Sequence, residues 1–203
     1  MLPLLLLTLL IHVHAEEPVM EAPMELELFN RIMYGTCEVI PDPLLPAGLP
    51  QIYGQVLFRQ FYPSGTMQSI VNLRGLPTND QQQRAIHIHQ YGDLSEAFVT
   101  AGPHYNPLGV DHPSHPGDLG NFFSSNGTIR RRLTIKEATL FGGQSILGRA
   151  VVIHEKEDDL GLGPDEESKR SGNAGRRIAG CVIGISSSNL WDKAIELIEK
   201  EQD

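Results

Sequence analysis

The apolar positions of the chain fall into short runs that are separated by glycine, proline and polar residues. Runs of this kind, rich in β-branched and aromatic residues, are typical of strands. The predicted strands are residues 51–62, 66–76, 84–90, 127–140, 145–155 and 177–186. Asn126-Gly127 is a hairpin-turn signal. No helical period is present between Cys37 and Ser187, so the pattern predicts an all-β sandwich or barrel.

The two ends of the chain have a different pattern. Residues 16–36 are acidic and carry apolar pairs four positions apart, which predicts an amphipathic helix in an N-terminal extension. Residues 188–203 are also acidic and place their apolar residues on one helical face. We therefore expect a central β domain over residues 37–187, with short helices at both ends.

Residues 1–15 contain no Asp, Glu, Lys or Arg and include an apolar run from Leu2 to Ile11. This run is too short for a transmembrane helix but suits the core of a secretory signal peptide. Val13-His14-Ala15 fits a cleavage site. A buried N-terminal segment is the alternative, because no Lys or Arg precedes the apolar run. The signal-peptide interpretation predicts a secreted, extracellular protein.

Export would place the chain in an oxidising compartment. There its two cysteines, Cys37 and Cys181, have one possible intramolecular pairing. Two free buried thiols are the alternative. In the same compartment the sequon at Asn126, Asn-Gly-Thr, is an acceptor for N-glycosylation.

The formal net charge of −9 disfavours nucleic acid and anionic membrane as partners, because both are negatively charged. Two stretches interrupt the strand pattern, residues 91–120 and residues 157–176, and both are polar and rich in glycine or proline. Structureless loops of this length are uncommon in a compact domain and are usually functional or disordered. We expect something to hold these two loops in place.

Of the eight histidines, two lie in residues 1–15. The other six are His87, His89, His104, His112, His115 and His154. His87 and His89 alternate with Ile86 and Ile88 in a predicted strand, so both imidazoles project from one face. For this motif alone, a half-exposed strand without a metal is the alternative.

The loop after this strand contains His104, His112, His115 and Asp118. Three imidazoles and one carboxylate make a closed tetrahedral set of the kind that zinc accepts in structural sites. A metal there would also explain how so long a loop is pinned. His154 lies on the polar phase of another apolar strand. A solvated histidine-rich loop is the alternative, although such a loop rarely carries matched strand histidines.

Five segments together resemble the copper/zinc superoxide dismutase family. They are residues 84–93 (RAIHIHQYGD), 101–108 (AGPHYNPL), 117–121 (GDLGN), 148–160 (GRAVVIHEKEDDL) and 172–184 (GNAGRRIAGCVIG). The likeness runs in order from about Gln51 to Ser186. Four further features of the chain resemble the extracellular branch of this family. They are Leu57-Phe58-Arg59-Gln60, the short spacing from His112 to Asp118, Leu190-Trp191, and Cys37 ahead of the first predicted strand.

The resemblance implies a Greek-key β-barrel, an immunoglobulin-like sandwich with two long functional loops, and dismutation of superoxide to oxygen and hydrogen peroxide. The implied ligands of one copper ion are His87, His89, His104 and His154. The implied ligands of one zinc ion are His104, His112, His115 and Asp118, so that His104 bridges the two metals. Asp158 matches the carboxylate that links His87 to His112. Arg177 matches the arginine beside the copper.

The resemblance also implies that the second long loop shapes the electric field around the copper. Arg170 lies further out on this loop than Arg177. Glu166 and Glu167 match acidic residues that shape the same field. Because the substrate is an anion and the protein is acidic, a local positive funnel must overcome the global charge.

The family's usual disulfide is absent, because its two positions match Phe98 and Gly180. We expect packing of the phenyl ring to hold the loop around Phe98 instead. Extracellular members have a second bridge, whose positions match Cys37 and Cys181. The resemblance therefore implies a Cys37–Cys181 bond.

Two other functions compete with this interpretation. A zinc hydrolase or lyase also uses strand histidines, with an open water site, but it leaves the second, closed ligand set unexplained. A metal buffer or copper-delivery protein is the non-enzymatic alternative, and delivery would favour a thiolate motif that neither cysteine forms. The expected partners are superoxide and further copies of the chain, as a homodimer or homotetramer. Heparin binding is not expected, because residues 192–203 contain no basic cluster.

Overall fold

A computed structural model describes Leu26, residues 30–79 and residues 81–200. The strands are β1 Ile32–Pro41, β2 Tyr53–Phe61, β3 Met67–Arg74, β4 Gln83–His89, β5 Asp118–Phe123, β6 Thr128–Ile135, β7 Ala150–His154, β8 Arg177–Val182 and β9 Gly184–Ser186. The helices are α1 Glu166–Ser171 and α2 Asn189–Lys200, and short 3₁₀ segments lie at Glu96–Ala101 and Gly142–Gln144. The signal peptide expected at residues 1–15 lies outside the described residues.

The strands form one antiparallel sheet that nearly closes into a barrel. Its order is β5-β4-β7-β8-β1-β2-β3-β6, and β9 also pairs with β1. The two outermost strands, β5 and β6, follow each other in the chain and are joined by a tight turn in which Asn126 and Gly127 have positive φ. The all-β Greek-key barrel expected from the sequence is confirmed, and the turn lies where Asn126-Gly127 predicted it.

The strand register separates the barrel core from the histidines. Ile86 pairs with Ile153, and both are fully buried in the main apolar core together with Ile88. Because successive side chains of a strand point to opposite faces, His87 and His89 lie on the outer face of β4. They are nonetheless buried, since the two long loops cover this face.

The strand β1 differs from the sequence expectation. Residues 32–36, assigned to the N-terminal helical extension, are its first half. Tyr34 packs outside the barrel with Leu57, Ile70 and Trp191, so both faces of β1 are buried and the alternation is hidden. Most of the rest of the expected extension 16–36, residues 16–31, lies outside the described residues.

Two further elements were not expected as such. The edge strand β5 begins inside the expected loop 91–120 and ends beyond it, where no strand was predicted, and its residues are mostly half-buried without alternation. The helix α1 is a short helix inside the expected loop 157–176, capped by Asp165, whose side chain accepts a hydrogen bond from the backbone of Ser168 at 2.9 Å. The expected strand 177–186 is divided into β8 and β9.

The helix α2 lies within the segment 188–203 that the sequence predicted as helical. Trp191 and Ala194 are buried against the outer face of β2 and β3, and the guanidinium of Arg59 lies 4.6 Å from the centre of the Trp191 ring. Within the described part of the chain, no helix is both long enough and apolar enough to cross a bilayer.

A disulfide joins Cys37 of β1 to Cys181 of β8, with 5.3 Å between the Cα atoms. Both cysteines are buried. The bond connects two strands that neighbour each other in the sheet although they are 144 positions apart in the chain.

Candidate metal centre

Four imidazoles meet where β4, β7 and the loop after β4 come together. We call His87, His89, His104 and His154 the four-histidine group. All four are buried, and one ring nitrogen from each lies within 4.8 Å of the others. His89 and His104 also form an isolated β-bridge, which brings the loop against the end of β4.

Hydrogen bonds fix the orientation of these rings. His87 donates from Nε2 to Asp158 Oδ2 at 2.9 Å, and His89 donates from Nδ1 to the Gly102 carbonyl at 2.8 Å. The His154 Nδ1 lies 3.3 Å from the Gly175 carbonyl oxygen. Each ring thus uses one nitrogen for an oxygen acceptor and turns the other toward the centre of the group.

The inward nitrogens fit a metal ion. The His87 Nδ1 is buried without a hydrogen-bond partner, and the Nε2 atoms of His89 and His154 lie 3.3 Å apart. A buried nitrogen without a partner is destabilising, and a cation that accepts several lone pairs removes the penalty. Burial lowers the pKa of His87 to about 4, and it also lowers the pKa values of His89 and His154. These rings are therefore neutral at pH 7, which is the form that binds metals.

A second cluster shares one histidine with the first. We call His104, His112, His115 and Asp118 the mixed group. Asp118 Oδ1 lies 2.7 Å from His104 Nδ1, and its Oδ2 lies 3.0 Å from His112 Nδ1 and 3.1 Å from His115 Nδ1. The backbone N–H of His115 donates to Asp118 Oδ2 at 3.1 Å. Three imidazole nitrogens and one carboxylate thus converge, which is the donor set of a closed zinc site.

Charge in the mixed group is balanced inside the group. Burial raises the pKa of Asp118, but hydrogen bonds from His104 and His112 outweigh burial and hold it well below its usual range. Burial lowers the pKa of His112, while its bonds to Asp118 and Asp158 raise it to about 9 overall. Asp118 is therefore ionised at pH 7, so it offers a negative ligand to a cation.

Asp158 connects the two groups. It is buried, accepts from His87 through Oδ2 at 2.9 Å, and accepts from His112 through Oδ1 at 2.8 Å. Burial raises its pKa, and the two imidazole donors outweigh this and lower it well below the usual range. One fixed carboxylate thereby orients a ring in each group, the link that was expected for this residue.

Two residues that the sequence did not single out hold Asp158 in place. The Asn121 side chain donates to the Asp158 carbonyl at 2.7 Å and accepts from its backbone N–H at 2.8 Å. Gly172 ends α1 with φ +71, and a Cβ there would lie 1.9 Å from Asp158 Oδ1 and 2.7 Å from His112 Nε2. Only glycine fits this position. Both residues lie in the quoted motifs, GDLGN and GNAG, but nothing in the letters indicated their contacts.

A cavity of about 640 Å³ opens onto the four-histidine group. Its wall contains three of these histidines and the cationic side chains of Lys156, Arg170 and Arg177, with Glu167 as the acidic member. Arg170 is hydrogen-bonded to Glu167 on α1, so part of its charge is neutralised. Lys156 was missed by the sequence analysis, although it stands two residues after His154.

Glu166 occupies a different place from Glu167. It lines a second cavity, of about 950 Å³, on the side of the mixed group, and its carboxylate lies 3.7 Å from the Lys169 ammonium. Arg170 lines both cavities. The acidic residues expected to shape one field are thus divided between the two openings.

Arg177 is fixed by backbone carbonyls. Its Nη1 donates to Phe98 O at 2.6 Å and to Val99 O at 3.2 Å, and its Nη2 donates to Gly102 O at 2.7 Å. Burial lowers its pKa, but a guanidinium remains charged in proteins. The described structure therefore places a fixed cation beside the four-histidine group.

Comparison with known proteins adds independent information. A sequence profile of the copper/zinc superoxide dismutase family matches residues 52–183. The chain is 48% identical over 174 residues to the extracellular Cu-Zn superoxide dismutase of Rattus norvegicus, which covers 85% of this chain and 71% of that protein. It is 47% identical over 162 residues to the extracellular enzyme of Homo sapiens, covering 79% and 68%.

The chain is also similar to a superoxide dismutase that is not named as extracellular. The Cu-Zn superoxide dismutase of Schizosaccharomyces pombe is 43% identical over 146 residues, which covers 68% of this chain and 94% of that protein. The matched profile spans both ligand groups, Asp158 and Arg177. The chain belongs to the copper/zinc superoxide dismutase family.

Proposed function

We propose that this protein is an extracellular enzyme that converts two superoxide ions and two protons into oxygen and hydrogen peroxide. The observation that carries the proposal is the sharing of His104 between two adjacent ligand groups of different donor chemistry. A zinc hydrolase or lyase needs one metal site with an open position, and the mixed group alone already gives a closed set.

The donor sets support one metal assignment. The four-histidine group offers nitrogen only, and imidazole suits copper among other metals. The mixed group offers three nitrogens and a carboxylate, the kind of closed set in which structural zinc is held. We therefore assign copper to His87, His89, His104 and His154, and zinc to His104, His112, His115 and Asp118.

When bound, copper supplies one-electron redox chemistry and zinc supplies a fixed positive charge without redox chemistry. The chain supplies orientation and access. Asp158 fixes the orientation of the His87 and His112 rings, and the Gly102 and Gly175 carbonyls do the same for His89 and His154. The covering loops bury these rings, and the cavity beside them gives a small anion access to the group.

Side-chain charge favours entry of superoxide through this cavity. The whole protein carries −9, which repels an anion, yet the cavity wall has three cationic side chains and one carboxylate. Clefts lined by one sign of charge focus the field and raise association rates. Arg177 lies directly opposite the ligand His154 in the pairing of β7 with β8, so its cationic side chain is held beside the four-histidine group.

The direct test is metal analysis together with a fast superoxide assay. The protein is expected to contain one copper and one zinc ion per chain and to dismutate superoxide rapidly. Metal without turnover would support a metal buffer, and zinc alone with hydrolytic activity would support the second enzyme class. Either outcome would overturn the proposal.

Replacing Arg177 with Ile is expected to slow dismutation by about tenfold or more while both metals stay bound, because clefts of fixed charge raise association rates by about 10–1000-fold. Screening by salt acts on charges, so the activity of the variant should also fall less steeply as ionic strength rises. Stopped-flow rates over a salt series measure both effects.

The control for this variant is Arg176→Ile. Arg176 is the exposed neighbour of Arg177, does not line the cavity, and changes the net charge by the same amount. It should keep nearly the native rate and salt dependence. Equal losses in the two variants would show that only net charge matters, which contradicts a specific role for Arg177.

Secretion rests on the signal-peptide pattern of residues 1–15 and on the names of the rat and human relatives. Asn126 is exposed in its turn, so glycosylation there remains a prediction. The absence of heparin binding also remains a prediction, based on the acidic sequence of residues 192–203.

Exposed apolar side chains on β1 and β8 favour self-association. Ile40 pairs with Gly180, and Val182 stands two residues further on the same face, with exposed fractions of 48% and 41%. Val99, 64% exposed, follows Phe98, whose ring packs at Gly180. We propose that a second copy covers this patch, because a two-fold contact buries the same residues twice.

The mass in solution tests this dimer. Sedimentation equilibrium of the native chain should give twice the chain mass, and Val182→Glu should lower it to one chain. Leu162→Glu is the control, since Leu162 is 85% exposed on the loop before α1 and lies outside the patch. A native monomer, or a Val182→Glu dimer, would contradict the assignment of the surface.

A further inference from the structure

One of the carbonyls that hold Arg177, that of Phe98, belongs to a strained piece of backbone. Glu96, Ala97 and Phe98 have φ of 49°, 55° and 63°, the left-handed region that non-glycine residues rarely adopt. Three consecutive residues of this kind are maintained only where surrounding contacts fix them. The Phe98 carbonyl, which accepts from Arg177 Nη1 at 2.6 Å, is the last member of the series.

The Phe98 ring is the contact that ties this segment to β8. Its side chain is 1% exposed. A Cβ built on Gly180 would lie 3.7 Å from two ring carbons of Phe98, so the ring lies directly on the glycine. The same Cβ would lie 3.0 Å from the Val151 carbonyl oxygen, so that a side chain longer than a methyl group would have to displace the ring. Phe98 and Gly180 are therefore complementary in size.

The other contacts that hold the loop around Phe98 do not involve the Phe98 ring. The side chains of Asp93, Ser95 and Thr100 bond to one another and to backbone within the loop, and Asp93 and Ser95 are exposed while Thr100 is half-buried. Backbone bonds from Gln90 and Tyr91 hold Pro103 and Ala101, which are in the second half of the loop. Within the 3₁₀ segment, the buried residues are Phe98 and Ala101.

We infer that Phe98 is a positioning residue: its ring, packed on Gly180, fixes the carbonyl oxygens that hold Arg177 in the cavity wall. This inference rests on the proposed function of Arg177. At these two positions a bulky ring and a glycine hold the loop without a covalent bond. The position of Arg177 is therefore independent of thiol–disulfide chemistry at this loop.

Phe98→Ala tests the inference, together with Arg177→Ile and the double variant. The alanine variant should retain copper and zinc, lose several-fold or more in rate, and show the flattened salt dependence of Arg177→Ile. Because both changes remove the same effect, the double variant should be no slower than Arg177→Ile alone. Independent losses that multiply in the double variant would overturn the inference.

Amide hydrogen exchange gives a readout apart from activity. The N–H of Gly102 bonds to the Val99 carbonyl at 3.1 Å and should exchange faster in Phe98→Ala. Phe122→Ala is the matched control, because Phe122 is a buried phenylalanine of β5 outside the loop. It should lower stability while leaving exchange at Gly102 and the salt dependence unchanged. A Phe98→Ala protein with native exchange at Gly102 would refute the positioning role.

A covalent replacement keeps the test decisive if Phe98→Ala unfolds. The double change Phe98→Cys with Gly180→Cys should restore the native salt dependence when oxidised and lose it on reduction. The native protein should keep its salt dependence under the same reductant. An oxidised cysteine pair that fails to restore the salt dependence would overturn the inference, whereas absence of dismutation and of bound copper in the untreated native protein would overturn the proposed function instead.

Discussion

A His154→Ala variant is expected to lose superoxide dismutation by at least about 100-fold and to retain zinc. Even the outer partners of metal ligands are worth about 10–100-fold, so a direct ligand should be worth at least as much. His154 belongs to the four-histidine group and is absent from the mixed group, whose four side chains stay in place. Copper and zinc content, measured with the dismutation rate, therefore separates the two sites.

The matched control is His115→Ala, which removes one imidazole from the mixed group and none from the four-histidine group. It should lose zinc and keep copper, with a loop that is less ordered because one of its anchors is gone. A His154→Ala protein that keeps copper and full activity would contradict the copper assignment. Loss of both metals from each of the two variants would also contradict the assignment, because copper and zinc would then not occupy separable sites.

The candidate site could be predicted from the sequence where one residue type carries the chemistry. His87 and His89 were placed on one face by the strand period, and the spacing of the loop histidines indicated a second ligand set. The resemblance then implied the roles of Asp158 and Arg177. The structure brings all of these side chains together, because β7 pairs with β4 on one side and with β8 on the other, which aligns the ends of the three strands.

The remaining parts depend on contacts that sequence letters do not show. β1 was hidden because α2 covers its outer face and removes the alternation of apolar and polar positions. Asn121 and Gly172 act on the site through Asp158, which they hold in place. Asparagine and glycine are also common in ordinary turns, so the sequence alone does not distinguish the two roles. The aliphatic part of the Lys156 side chain packs along Gly175 and so reaches the cavity wall. This contact depends on the folded backbone and is not visible in the sequence.

The replacement of both Cys37 and Cys181 by Ala is expected to lower the free energy of unfolding by about 2–5 kcal/mol, the usual range for removal of a native disulfide. The bond closes a loop of the chain between residues 144 positions apart, so its loss frees much of the unfolded chain. The two sulfurs lie in the apolar core, and alanine leaves no unpaired polar atom there. Denaturant unfolding of the metal-free proteins measures the difference without a contribution from bound ions.

Reduction supplies the internal control for this variant. A thiol reductant should destabilise the native protein by a similar amount and should not change the alanine variant, which has no cysteine. Peptide mapping without reduction should recover Cys37 and Cys181 in one linked pair. If the native protein and the variant unfold at the same denaturant concentration, or if both native thiols react with an alkylating reagent, the bond does not stabilise the secreted protein. The expected result is instead a bond that ties β1 to β8 next to Gly180, where the strand also supports the Phe98 ring.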